Sequence, residues 1–528
     1  MITRAKKKDD CVFVIDAGTQ SIRAALIDMK GTIREIVKTP IEPYYSEFPG
    51  WAEQDPEYYW NTLCVTCKKL LKTTSFDIKA IKGVTLTTQR ATVINVDKNG
   101  KPLRPAITWL DQRKANKGEW PPLPLAVLLK AINMYDASIH TYRETESNWV
   151  RQNQPDIWKR THKFLLLSGF FSYRLTGEFV ESVGSTVGYV PFDFKNHQWM
   201  KKSDIKWGIF DYDLSLMPDL VKPAEQMGTI SKKASRETGI PVGLPVIAAA
   251  ADKACEVLGS GCLSPDIACL SYGTTATVET TNKKYVEVVP FFPPYPSAVP
   301  GAYNTEVMIF RGYWMVSWFK KEFGLREQEI ANKRGVSPET LFDELVRAIP
   351  PASMGLMLQP FWSPGVKIPG PEAKGSIIGF GDVHTRAHIY RAILEGLAYA
   401  LKEGTIRTEK KNKIRIERLR VSGGGSQSNV AMQITADIFD LPAERPRTYE
   451  TSALGAAIDA AVGLKLYPDF NSAVASMTGI RDTFVPIPKS RDIYKELYER
   501  VYLKLYDRLK PLYDEIRDIT GYPPKVQK

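Results

Sequence analysis

Apolar runs broken by single polar positions divide this chain into short strands and amphipathic helices in alternation. Val12 to Ile15 are all apolar, Asp16 ends the run, Gly18 permits a turn, and Ile22, Ala24 and Leu26 alternate with more exposed positions. Cys11 to Asp28 therefore predicts a buried strand, a tight turn and a return strand, with one acid at the bend. Tyr58 to Thr73, Lys82 to Asp97 and Phe164 to Leu175 continue the alternation of helix-like and strand-like segments, which points to an α/β domain. The second half repeats it and ends in a helical tail, where Leu497, Val501 and Leu505 share a stripe with Tyr494, Tyr498, Tyr502 and Tyr506 beside it. That stripe predicts packing against the body of the protein. Pro121 to Pro124 and Pro290 to Pro300 read as loops or insertions.

The first hairpin has a counterpart. Ala268 to Tyr272, the Gly273-Thr274-Thr275 turn and Ala276 to Val278 repeat the order of apolar strand, Gly-Thr turn and second strand. One hairpin in each half suggests a duplicated core that clamps a nucleotide. A boundary falls near Gly259 to Pro265, giving domains of 1–262 and 263–528 in a chain of 528 residues, too long for one core.

Two further segments carry chemistry. Leu244 to Ala251 is a small-residue apolar strand that delivers Asp252 to its end, where α/β sheets place reactive groups. Asp252 there suits the base that accepts a hydroxyl proton during phosphoryl transfer, and it equally suits a helix N-cap. In Val421 to Asn429, Gly423, Gly424 and Gly425 let a loop approach a ligand, and the Val430, Ile434 and Ile438 spacing predicts a helix next. A helix start after such a turn favours phosphate or the polar edge of a nucleotide. At the first hairpin, Asp16 beside backbone amides and the Thr19 and Ser21 hydroxyls suits a polyphosphate with a hydrated magnesium ion.

Charge changes the picture little. The formal net charge of +12 suits an anionic substrate, yet acids interrupt the basic residues throughout, as where Asp9-Asp10 follow Lys6-Lys7-Lys8. No basic stripe with interleaved aromatics and no zinc-finger spacing stands out, so nucleic acid is not an expected partner. Six cysteines in apolar or helical contexts fit a reduced compartment, and the Cys64 and Cys67 pair reads as buried thiols within a helix. No run approaches a membrane span or a signal sequence, which predicts a soluble, cytoplasmic protein.

The ordered motifs resemble those of the FGGY carbohydrate kinases of the actin, Hsp70 and hexokinase superfamily, over about residues 10 to 510. They are Asp16-Ala-Gly18-Thr19-Gln20-Ser21, Gly50-Trp51-Ala-Glu53-Gln54-Asp55-Pro56, Gln89-Arg90 leading to Trp109-Leu-Asp111-Gln-Arg113, then Asp252 and Gly273-Thr274-Thr275. Arg391-Ala-Ile-Leu-Glu395-Gly396, Gly423-Gly424-Gly425-Ser426 and Ala453-Leu454-Gly455-Ala456-Ala457 follow in order. The resemblance implies two ribonuclease H-like α/β domains facing a cleft, with sugar held mainly by the N-terminal half and ATP by the C-terminal half. It also implies Asp252 as catalytic base and Asp16 acting through magnesium. Gly18, Thr19, Gln20 and Arg23 would face the phosphates, with Gly273 and Thr274 on the other hairpin. Gly424, Gly425 and Asn429 would lie near adenosine, and Gln89, Arg90 and Lys253 would join Asp252 around the sugar. A homodimer and sugar-stimulated turnover with weak basal ATPase activity belong to the same implication.

Departures from the family pattern bear on the substrate. Ala91 stands where glycerol kinases carry Glu after Gln-Arg, and Arg90-Ala91 stand where xylulose kinases carry Met-His. Glu146 precedes Trp149 where a Lys is usual, Ser182 replaces a common Asp, and Pro364 to Pro369 lacks the usual Glu-Arg pair. A ketopentose is the first expectation. Glycerol, a sugar acid or a signalling polyol is the alternative kinase substrate, and a non-catalytic sugar or nucleotide sensor is the alternative class.

Overall fold

The computed structural model describes residues 10–132, 134–289, 292–336, 338–363 and 369–522. The Lys6 to Asp9 charges, Pro290 and the Pro364 to Ile368 segment singled out above lie outside them. By contact the chain divides into two compact units. The first comprises the chain up to Gly261 together with Asn282–Asn304 and Ser452–Thr478, and the second comprises Cys262–Thr281, Thr305–Thr451 and the chain from Gly479. Two later segments thus belong with the first unit, which a single cut at 262 does not capture.

In the first unit the hairpin is present as drawn from the sequence, with strands β1 (Cys11–Ala17) and β2 (Ser21–Asp28) followed by β3 (Ile33–Pro40). Helix α1 (Pro56–Thr73) starts where Asp55 accepts the Glu57 N–H and Pro56 presets the first turn. It buries Cys64 and Cys67, and all six thiols are buried and free. Strand β4 (Ile81–Thr88), β5 (Gln226–Thr229), β6 (Pro245–Ala248) and helix α2 (Asp252–Gly259) complete the framework. The sheet order is β5-β6-β4-β1-β2-β3. β4 runs parallel to both β1 and β6, while β2 and β5 run antiparallel to their neighbours.

The second unit repeats this plan. Strands β7 (Ile267–Tyr272), β8 (Ala276–Asn282) and β9 (Tyr303–Ile309) precede the long helix α3 (Arg386–Asn412) and β10 (Arg418–Ser422). Helix α4 (Asn429–Phe439), β11 (Ala443–Pro446) and β12 (Ile480–Phe484) follow, while helix α5 (Thr451–Gly463), between β11 and β12 in sequence, belongs from Ser452 onward to the first unit. Along the sheet the order is β9-β8-β7-β10-β11-β12, with the short strand Tyr295–Pro296 antiparallel on the outer side of β9, β7, β10 and β11 parallel, and β12 antiparallel at the other edge. Both sheets therefore pair an antiparallel hairpin with two parallel crossover strands and an antiparallel edge, the duplicated α/β plan of the actin and hexokinase type. Among the described residues no helix is long and apolar enough to cross a membrane.

Three local readings need correction. Pro121 to Pro124 leads directly into a helix at Leu123–Ala131, because proline fits a first helical turn as well as a loop. Pro296, in the second proline-rich stretch, lies in a short strand, Tyr295–Pro296. In the tail the stripe does pack on the body through Leu505, which is buried, and Leu497, which is partly buried, but the tyrosines carry most of the core face. Tyr494, Tyr498 and Tyr502 are buried, while Val501 is exposed. Tyr498 and Tyr502 pack on Tyr399 with centroids 5.8 and 5.0 Å away. A four-residue spacing drifts around a 3.6-residue helix, and the wide π-helical turn at Tyr498–Tyr502 offsets that drift.

Several motif residues prove to be packing devices. Arg113 lies over Trp51 at 3.9 Å and Trp149 at 4.6 Å, with Nη1 2.9 Å from Glu53 and Nη2 2.7 Å from Asp111. Asp111 also accepts the Ala52 N–H at 2.6 Å, so this cluster ties the Gly50 and Trp109 motifs together. In the second unit, Glu395 accepts bonds from Arg391 Nε at 2.7 Å, Tyr494 Oη at 2.6 Å and Ser353 Oγ at 2.8 Å. It also takes the Ala352 N–H at 3.0 Å, holding Ala352, Ser353 and Met354 in successive left-handed conformations. Glu395→Ala leaves the buried Arg391 charge unopposed and is expected to cost about 3–5 kcal/mol, read as a lowered denaturation midpoint with the m-value unchanged.

Candidate active site

The parallel register of β1, β4 and β6 brings two carboxylates to one end of the first sheet. Asp16 pairs in register with Thr87 near the end of β4, and Ala248, the last residue of β6, with Leu86. Thr85 Oγ1 donates to the Ile247 carbonyl at 2.9 Å and Thr87 Oγ1 to the Ala250 carbonyl at 2.8 Å, so β4 guides the chain past the strand end to Asp252. Asp252 is the first residue of α2, and the N-cap is Ala251. The N-cap position thus falls to Ala251, which makes no side-chain cap bond, and the Asp252 carboxylate accepts the adjacent Lys253 N–H at 2.8 Å.

Electrostatics set Asp252 apart from a surface acid. Burial pushes its pKa up to about 6, the nearby Arg90 and Lys253 cations oppose that rise, and the Asp16 and Glu256 carboxylates add to it. Lys253 Nζ pairs with Glu256 at 2.8 Å, and the Arg90 guanidinium lies 5.2 Å from the Tyr295 ring centroid. Gln89 is buried and donates through Nε2 to the Tyr59 hydroxyl at 3.3 Å. Ala91 has φ of 51°, a left-handed conformation costly for a residue with a Cβ, and its N–H meets the Val187 carbonyl at 3.0 Å. Strain therefore sits in the segment where the family pattern varies.

At the first turn, Gly18 N–H donates to the Ser21 carbonyl at 3.1 Å. A Cβ at Gly18 would meet Ser21 O and Arg23 Nη1 only at ordinary van der Waals distance, so the turn itself does not require glycine. The residue leaves space beside a guanidinium instead. Thr19 Oγ1 accepts the Trp109 indole N–H at 3.1 Å, and the Gln20 carbonyl accepts the Ile41 N–H at 3.0 Å with the side chain exposed. Arg23, expected at the phosphates, donates from Nη1 to Asp16 Oδ2 at 2.9 Å. Among the described residues no group of three or more His, Cys, Asp or Glu could hold a metal. A magnesium ion that keeps most of its waters needs only one or two protein carboxylates, so the buried Asp16 fits it.

The second unit presents the matching hairpin. Gly273 and Thr274 form the turn between β7 and β8, where their carbonyls accept the Tyr313 and Trp314 N–H groups at 3.0 and 3.3 Å. Gly423, at φ of 79°, lies against this turn, since a Cβ there would come within 2.9 Å of the Tyr272 carbonyl group. Gly424 is exposed and a Cβ would meet nothing within 4 Å, whereas at Gly425 the Tyr313 ring stands 2.4 Å from that position. Of the two glycines, Gly424 has the open face. Asn429 begins α4 and its Oδ1 accepts Arg445 Nη2 at 2.8 Å, leaving the amide nitrogen on an exposed residue.

Sequence reasoning did not single out Tyr295, Tyr313 or Tyr59, whose roles depend on long-range packing. Glu146 starts a helix at Glu146–Asn153, and burial pushes its pKa up to about 8. Ser182 Oγ accepts the Gly184 N–H at 3.2 Å and caps a short turn.

Known proteins of similar sequence and shape match along the whole chain. The N-terminal domain model of the FGGY family of carbohydrate kinases matches residues 11–259, and its C-terminal domain model matches residues 268–464. The chain is 29% identical to the sugar kinase YgcE of Escherichia coli K12 over 523 residues, 97% of each chain. It is 28% identical to a xylulose kinase of Staphylococcus epidermidis (strain ATCC 12228) over 519 residues, 97% of this chain and 99% of that one. The crystal structure of xylulose kinase from Rhodospirillum rubrum has the same fold, with a TM-score of 0.78 at 24% identity over 96% of this chain and 100% of the other. With both domain models matched in order, this protein belongs to the FGGY family of carbohydrate kinases, which transfer a phosphoryl group from ATP to a small sugar.

Proposed function

We propose that this kinase phosphorylates a hydroxyl of a ketopentose, with Asp252 as the base. The observation that carries the reading is the Asp252 carboxylate, placed at the end of a sheet strand beside Asp16, Arg90 and Lys253 and with its pKa raised to about 6. A base of that pKa is ionised at neutral pH yet accepts a proton more readily than a surface carboxylate. The relatives named xylulose kinase support a ketopentose acceptor.

In this reading Asp252 orients the acceptor hydroxyl and takes its proton as the new O–P bond forms and the bond to ADP breaks. Gln89, Arg90 and Lys253 hold the other sugar hydroxyls. The backbone of Gly18, Thr19 and Gln20 on one hairpin and of Gly273 and Thr274 on the other binds phosphate oxygens, and Arg23 sets the Asp16 carboxylate. Gly424 and Asn429 line the adenosine side, and Gly425, packed on the Tyr313 ring, supports them from behind. When bound through Asp16, magnesium neutralises charge on the phosphates. A second reading is a sugar acid, favoured by the two cations, Arg90 and Lys253, that act on Asp252.

Asp252→Asn is expected to lower kcat by about 10²–10⁴-fold with ATP affinity retained. Unchanged turnover would remove Asp252 as base. Because only the carboxylate form takes the proton, kcat of the parent enzyme is expected to hold above pH about 6 and fall about tenfold per unit below it. A large side chain at Gly424, as in Gly424→Leu, should fold normally and raise KM for ATP several-fold. In an ADP-release assay, D-xylulose is expected to give a higher kcat/KM than glycerol or D-gluconate. Preference for D-gluconate would instead select the sugar-acid reading.

A further inference from the structure

A buried arginine stands behind the glycine-rich turn of the second unit. Arg445 belongs to β11 and pairs in register with Asp482 of β12. Its Nε donates to the Ser426 carbonyl at 2.7 Å, its Nη2 to Asn429 Oδ1 at 2.8 Å and its Nη1 to Asp482 Oδ2 at 2.7 Å. The guanidinium also lies 5.1 Å from the Phe484 ring centroid. Ser426 is part of the short turn Gly424–Gln427, and Asn429 is the first residue of α4. One planar group therefore ties the turn that carries Gly424 to the start of the helix that follows it.

A brace between two strands would need only the Asp482 pair. The Asp482 side chain is 40% exposed, and an ion pair with so exposed a partner adds little to stability. The Arg445 side chain is 5% exposed, and its other two hydrogen bonds go into the loop. Those bonds also decide which chemical face the loop shows. A guanidinium only donates, so Asn429 must offer it Oδ1, and the amide nitrogen of this exposed residue is turned the other way as a donor. Such a donor is matched by an acceptor, and adenosine carries acceptors at its ring nitrogens and ribose oxygens.

We propose that Arg445 is a positioning residue for the nucleotide, which holds the Ser426 carbonyl and turns the Asn429 amide so that its nitrogen donates to an acceptor on adenosine. This inference rests on the reading that Gly424 and Asn429 line the adenosine side. Without the guanidinium, the Asn429 amide is free to rotate and the turn loses its anchor to β11. The loss falls on binding, because nothing in this cluster belongs to the groups assigned to the sugar or to the proton transfer, so KM for ATP changes and kcat at saturating ATP does not follow it.

Arg445→Met keeps an unbranched stem and removes all three donors, whereas Asp482→Asn removes only the partner acid and leaves both loop bonds in place. In the ADP-release assay with the sugar of highest turnover, Arg445→Met is expected to raise KM for ATP at least about fivefold, with kcat within about threefold of the parent. Asp482→Asn should keep KM for ATP within about twofold. Calorimetric titration with magnesium ADP, without sugar, should rank the variants in the same order by Kd. Asn429→Asp still pairs with Arg445 but presents an acceptor outward, so it too should raise KM for ATP at least about fivefold. It carries the test if Arg445→Met does not fold. A folded Arg445→Met or Asn429→Asp variant with parental KM and Kd overturns the proposal, as does Asp482→Asn raising KM as much as Arg445→Met. Such a result beside a raised KM in Gly424→Leu leaves the adenosine side where it is, whereas parental KM in Gly424→Leu as well removes both readings.

Discussion

The parallel pairing of β4 with β1 on one side and β6 on the other is the constraint on which the active-site reading depends. Parallel strands end at the same edge of a sheet, so two acids far apart in sequence arrive there together. Asp16 comes from the end of β1 and Asp252 from the turn after β6, where the Asp16 charge adds to the rise that burial causes in the Asp252 pKa. An antiparallel β6 would send Asp252 to the opposite edge. The threonines of β4 reinforce the arrangement, since Thr85 and Thr87 both bond carbonyls of the β6 segment.

The second unit uses the same sheet plan with different strand ends. Its strand-end positions carry glycine turns in place of acids, which suits a nucleotide that brings its own negative charge. The tight approach of Gly423 to the Tyr272 carbonyl packs the triglycine loop on the hairpin turn, and only Gly424 is left open. Conserving space at one residue and filling it at the next turns a glycine-rich run into a shaped surface.

Much of this was legible in the sequence because it depends on local patterns. The apolar run ending at Asp16, the Gly-Thr turn at Gly273 and the strand-to-helix step at Asp252 each declare themselves within a few residues. Contacts across long sequence separations were not legible. Arg23 could face phosphate or turn back to Asp16, and only the antiparallel register that sets Asp16 opposite Arg23 decides it. Gly425 looks like Gly424 until the Tyr313 ring is placed. In the tail, Leu, Val and Tyr are all apolar enough for a core, and the π-helical turn that selects the tyrosines leaves no signature in the pattern. Asp459 sits in a run of alanines that reads as ordinary helix, and its burial depends on Gly455 meeting α2 and Gly463 meeting Ala224 and β6.

The central claim is that Asp252 receives the proton of the acceptor hydroxyl. A crystal structure with D-xylulose, magnesium and a non-hydrolysable ATP analogue tests it most directly. The account predicts a sugar hydroxyl within about 2.6–3.2 Å of an Asp252 carboxylate oxygen and facing the γ-phosphate. A sugar bound with no hydroxyl in reach of Asp252, its carboxylate turned toward Arg90 and Lys253 instead, would contradict it.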